Sequence, residues 1–101
     1  MKKKLCLLLI LSSFVLNIHA QKSIRIGIIG LDTSHSVAFT DLINGDKNNA
    51  FAKGFRIVAA YPYGSKTIES SAKRIPGYIK KVEQQGVEIV SSISELLDKV
   101  R

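Results

Sequence analysis

Ile24-Arg25-Ile26-Gly27-Ile28-Ile29-Gly30-Leu31-Asp32-Thr33-Ser34-His35 is the stretch on which the fold turns. Ile24 to Ile29 is a β-branched run interrupted only by Arg25 and Gly27, the pattern of a strand buried on both faces. Gly30 follows, then a polar knot from Asp32 to His35. Beyond the knot, Val37, Phe39, Leu42 and Ile43 recur at helical rather than alternating spacing, which predicts a helix from near His35 to about Ile43. Strand, glycine turn and helix are the opening of a nucleotide-binding βαβ unit. A glycine lets the backbone turn sharply and approach a ligand, and the following helix aims unpaired N–H groups and its positive end at a phosphate. Thr33 or Ser34 is placed to cap that helix, and Asn44-Gly45-Asp46 to end it, with Gly45 as a left-handed terminal residue.

Downstream, Lys47 to Gly54 reads as a polar loop and Phe55 to Tyr61 as a second strand closed by Pro62-Tyr63-Gly64-Ser65. Pro76-Gly77 divides the next segment, predicting a loose stretch or short helix before Pro76 and a firmer helix from Gly77 to Gln85, stopped by Gly86. Val87 to Val90 is a third short strand. Ser92 with Glu95 has capping-box spacing ahead of Leu96, Leu97 and Val100. The expected fold class is therefore α/β, Rossmann-like βαβαβα, with three parallel strands and helices on the faces. The elements stop where a fourth strand is due. The chain thus reads as the N-terminal portion of a longer protein or as a truncated reading frame, since so small a piece with a half-covered sheet is marginal alone.

Upstream, Met1 to Lys4 is a basic segment, Leu5 to Leu16 an apolar one, and Ala20 a small residue suited to a cleavage point. That order predicts a signal peptide over 1–20, cut after Ala20, and a secreted or periplasmic product with no stable membrane anchor after cleavage. The apolar run is short for a bilayer span, which takes about 20 residues. Cys6, the sole cysteine, lies inside it without the setting of a lipidation site, and residues 21–101 have none, so stability after export rests on a packed core or a partner. The net charge of +7 includes Lys2, Lys3 and Lys4, and the other basic residues are scattered without interleaved aromatics, which argues against a nucleic-acid surface.

Gly27 to His35 with Phe39 and Leu42, Ala59-Ala60-Tyr61-Pro62 with Gly64-Ser65, Gly77-Tyr78, Gly86 to Val90, and Ser94 to Leu97 together resemble the N-terminal half of one domain type. They are similar to the dinucleotide-binding Rossmann domain of the glucose–fructose oxidoreductase / inositol dehydrogenase family (Gfo/Idh/MocA), over roughly Ser23 to Arg101. The resemblance implies a two-domain oxidoreductase that takes NAD or NADP and acts on sugars, cyclitols or related polyols. It leaves room for a homo-oligomeric parent. On this reading residues 21–101 are a partial dinucleotide-binding domain without the substrate domain. The family's Glu-Lys-Pro lysine and its later histidine match nothing in this chain.

Under that resemblance Gly30, Leu31, Asp32, Thr33, Ser34 and His35 form the pyrophosphate-facing turn, and Tyr61 and Ser65 lie near the ribose. Two departures stand out. Asp32 occupies the position of the second fingerprint glycine, where a carboxylate is repulsive to phosphate unless it turns away or is paired, and His35 occupies the third. Tyr61-Pro62 stands where an acidic residue would hold the ribose hydroxyls, while Ser65 and Lys66 offer a ribose phosphate a partner instead. The competing expectation is that Asp32 to Ser34 satisfy helix amides, that His35 packs or caps locally, and that Tyr61, Pro62 and Tyr63 merely cover the sheet edge. Ser34 and His35 are too close in sequence to converge as a catalytic pair, and one histidine outside the leader is too few for a metal site. Gly27 is expected to serve close strand packing, Tyr78 the core, and the pairs Ser70-Ser71 and Ser91-Ser92 turns and caps. The alternative to an enzyme is an exported, non-catalytic carbohydrate- or protein-binding relative that has lost the cofactor, or a gene fragment.

Overall fold

The computed structural model describes residues 23–45 and 52–101; the leader expected over residues 1–20, its expected cleavage point and most of the loop after Gly45 lie outside the described residues. The elements run β1 (Ile24–Ile29), α1 (Ser34–Thr40), a π-helical turn (Asp41–Gly45), β2 (Phe55–Tyr61), α2 (Glu69–Gln84), β3 (Glu88–Ile89) and α3 (Ile93–Val100). The three strands form one parallel sheet in the order β1-β2-β3. This is the expected Rossmann-like α/β arrangement, and both long strands begin and end where the sequence placed them. No helix among the described residues is long and apolar enough to cross a membrane.

The sheet is packed from both faces, but β1 is not the buried strand its apolar run predicts: its residues are half-buried or exposed, with Ile24 60% and Ile29 59% exposed. On one side Leu31, Ile57, Ala60, Val82 and Val87 form a core joined by Val37 of α1 and by Tyr78 and Ile79 of α2. On the other, Leu96 of α3 packs with Ala59 and Val90. Gly27 makes the second contact possible: a Cβ there would lie 3.0 Å from Leu96 Cγ and 3.1 Å from Val100 Cγ1. Its bareness therefore admits a helix rather than a neighbouring strand.

Three local expectations are overturned. First, α2 is one helix with Pro76 inside it, not two pieces. Proline removes the N–H that would bond the Ala72 carbonyl. Both Ala72 and Pro76 are exposed, so that carbonyl keeps water while the opposite face, Val82 above all, holds the helix to the sheet. Second, Gly45 is not left-handed; only Gly30, Gly54 and Gly86 are, among the described residues. Asn44 instead ties the π-helical turn to β2 and to the end of α2: its Nδ2 donates to the Ile57 carbonyl (2.8 Å) and the Gln85 carbonyl (3.1 Å) while its Oδ1 accepts from the Ile57 amide (2.9 Å). Because β3 pairs only with Ala59 and Ala60, one primary amide supplies Ile57 with the donor and acceptor a longer strand would have given. Third, Ser70 and Ser71 lie within α2 and not in a turn.

The remaining stops follow the sequence. Gly86 takes φ +84° at the end of α2, where Val87 N–H donates back to the Val82 carbonyl at 3.2 Å. Ser92 Oγ accepts from the Glu95 amide at 3.1 Å and so caps α3. The Glu95 carboxylate reaches one residue further back than a standard capping box, accepting from the amide (3.0 Å) and the hydroxyl (2.9 Å) of Ser91.

Candidate functional site

Parallel pairing sets Ile29 beside Tyr61, so the loops leaving β1 and β2 emerge together at the carboxyl edge of the sheet. That edge is where open α/β folds bind ligands. The two loops are joined by backbone: the Gly30 amide donates to the Tyr61 carbonyl at 2.8 Å and the Leu31 amide to the Tyr63 carbonyl at 3.2 Å. Gly30 has φ +98°, and a Cβ there would stand 3.2 Å from the Tyr63 carbonyl oxygen. Conformation and space both demand glycine at this point. Leu31 is fully buried, so it anchors the turn from below.

Past Leu31 the turn opens. Thr33, Ser34 and His35 are exposed at the start of α1. Thr33 sits at the N-cap position but makes no side-chain cap bond, and Ser36 Oγ donates to the Thr33 carbonyl at 2.7 Å. His35 forms no side-chain hydrogen bond or ion pair among the described residues, so it does not cap. The expectation that Asp32 to Ser34 and His35 satisfy the helix end is therefore corrected: these side chains leave its first amides uncapped.

Asp32 turns across to the second loop instead. Its Oδ2 accepts from Ser71 Oγ at 2.8 Å, and the same hydroxyl oxygen accepts from the Ser65 amide at 3.2 Å. Ser71 is 7% exposed, so this is an interior contact between residues 39 apart in the chain. Gly64 makes room for it. A Cβ on Gly64 would lie 3.0 Å from Asp32 Cβ and 2.7 Å from Ile75 Cδ1, so the bare backbone is wedged between the two.

Gly64 also borders an open hollow of about 270 Å³ lined by Tyr61, Tyr63, Ser65, Lys66, Ile75 and Pro76 among others, with Asp32 not among them. The Tyr61 and Tyr63 rings stack at 6.1 Å between centroids and 28° between planes. Ser65 faces it from the head of α2, its Oγ accepting from the Ile68 amide at 3.1 Å and lying 3.3 Å from the Thr67 hydroxyl. Lys66 is exposed and forms no ion pair among the described residues. No group of three or more His, Cys, Asp or Glu side chains that could hold a metal ion occurs among the described residues.

All eight residues singled out from the sequence thus gather at one sheet edge, but in three roles. Gly30 and Leu31 build the turn, Thr33 to His35 face solvent at its mouth, and Asp32 ties it to Ser71 of α2, whose hydroxyl also holds the Ser65 amide. Ser71, Gly64 and Ile75 were missed. The signal for two of them was present, because Ser71, Ile75, Tyr78 and Val82 share one helical face straight through Pro76.

No family model, curated protein or solved structure matches the chain.

Proposed function

We propose that this chain is the NAD(P)-binding portion of an exported oxidoreductase of the Gfo/Idh/MocA type, whose substrate class is sugars, cyclitols or related polyols. The observation that carries the reading is the placement of Asp32. A carboxylate at the second fingerprint position opposes a pyrophosphate least when it is engaged elsewhere. Here it is turned to Ser71 and packed on Gly64, which leaves the uncapped start of α1 facing solvent with no acidic side chain bonded to it. The left-handed Gly30 lets the loop that carries Tyr61 and Tyr63 close against the turn, and the hollow beside those two rings offers an aromatic wall to a purine. The chemistry that a bound nicotinamide supplies is hydride transfer. What this chain contributes is position: a turn for the pyrophosphate and a loop for the adenosine half.

Calorimetric titration of the folded protein with NAD(H) and NADP(H) tests this, with Thr33→Glu as the informative variant. Thr33 is exposed and makes no side-chain cap bond, so glutamate there adds charge at the mouth of the turn while leaving the fold intact. We expect micromolar binding by the native protein and a loss of about tenfold or more in the variant, since like charges brought together at this range cost a kcal/mol or more. A folded sample that binds neither dinucleotide would remove the cofactor from the account and favour a non-catalytic binding protein of the same fold.

A further inference from the structure

Asn44 and Gly45 close the π-helical turn and take no part in the site at the carboxyl edge of the sheet. The fold uses the first and has no need of the second as a glycine. The Asn44 side chain acts as a length of β backbone, donating through Nδ2 to the Ile57 and Gln85 carbonyls and accepting at Oδ1 from the Ile57 amide. Gly45 is exposed and is not left-handed, and a Cβ added to it would meet nothing nearer than Gln85 Oε1, at 3.8 Å. An alanine would fit there. What the glycine changes is chemistry, because no side chain shields the amide nitrogen that follows Asn44. That nitrogen can attack Asn44 Cγ: the N–Cγ bond forms, the nitrogen gives up its proton, and the Cγ–Nδ2 bond breaks with loss of ammonia. Water then opens the cyclic imide, so that in sum an amide and a water become a carboxylic acid and ammonia, with no oxidant or reductant. The native turn opposes this twice. Its helical backbone disfavours the approach of the Gly45 nitrogen to Cγ, and the departing Nδ2 is held by two carbonyls.

We infer that Asn44-Gly45 is a deamidation site gated by folding: the native turn protects the amide, an opened chain loses it, and the resulting acid keeps that chain from closing again. A carboxylate is an acceptor only. One oxygen keeps the bond from the Ile57 amide, but the other faces the Ile57 and Gln85 carbonyls, oxygen against oxygen, and both carbonyls lose their donor. The change is one-way, a mark left on molecules that have opened. It needs no nucleotide and stands apart from the cofactor reading.

The test is peptide mapping by mass spectrometry of the full chain, shown to be folded in buffer by circular dichroism and incubated at one mildly alkaline pH in buffer and in urea. Trypsin releases residues 26–47, in which Asn44 is the sole asparagine, so the mass gain of an amide-to-acid exchange reports this site alone. We expect conversion about tenfold or more faster in urea than in buffer, since modification of an opened state follows the population of that state. Gly45→Ala should fold as the native protein does and resist conversion in urea. Asn44→Asp should lower the urea midpoint, with a loss of about tenfold or more in the ratio of folded to unfolded chains. Conversion as fast in buffer as in urea would remove the protection. Conversion of Gly45→Ala in urea at the native rate would remove the role of the glycine, and an Asn44→Asp variant as stable as the native protein would remove the block on closing. Any one of these results would overturn the inference.

Discussion

Two strand-to-helix corners of this molecule use the same residue types in opposite ways. At the corner from β3 to α3, Ser92 caps the helix and Glu95 returns to the amide and hydroxyl of Ser91, so the polar groups are satisfied within five residues. At the corner from β1 to α1, Thr33 caps nothing, and Asp32 leaves its own helix to bond Ser71 on α2. One corner is closed on itself and finished as structure. The other is stabilised from a distance, through Ser71 and the Gly30 and Leu31 amides, and leaves its helix end uncapped. The proposed function is built on the β1–α1 corner, where no side chain caps the helix.

The comparison can be broken by matched truncations. Ser92→Ala should lower stability by about 1 kcal/mol, the usual cost of losing an N-cap, read as a shift in the urea midpoint. Thr33→Ala should leave the midpoint within about 0.3 kcal/mol, since an exposed side chain without a cap bond has little to lose. Equal losses at the two sites would mean that Thr33 does cap α1 in solution and that the first corner is as closed as the second.

A smaller effect sharpens the same contrast by pH. The amide of Ser91, then its hydroxyl, hold the Glu95 carboxyl below the usual glutamate range, with Lys99 adding to the effect. A lowered pKa in the folded state means that this contribution is fully present above the unfolded value and is lost as pH falls through the folded one. Glu95→Gln should therefore be less stable than the native protein at neutral pH. The gap in melting temperature should close as the pH drops below the ordinary carboxylate range. A gap unchanged by acid would show that the Glu95 charge contributes nothing to the closed corner.

Much of the fold was legible because it is written locally. Gly30, Gly54 and the β-branched runs punctuate β1 and β2 to the residue, Gly86 stops α2, and Ser92 with Glu95 announces α3. What could not be read was decided by partners far along the chain. Pro76 looked like a break because its local cost is plain, whereas the packing of Val82 and Tyr78 that overrides it belongs to the sheet. Asn44 looked like a helix stop, yet its work is to pair with Ile57 and Gln85. The location of the site was readable from the strand–glycine–helix pattern. The orientation of Asp32, on which its chemistry depends, was not, because it is set by a serine 39 residues away.

The most direct test of the account is a nuclear magnetic resonance titration of the folded, isotope-labelled protein with NAD(H) and NADP(H), following backbone amides at both corners. Shifts should concentrate at Gly30, Asp32 to His35 and Tyr61 to Lys66, with Ser91 to Glu95 silent. Shifts confined to the β3–α3 corner, or none at saturating nucleotide, would contradict it.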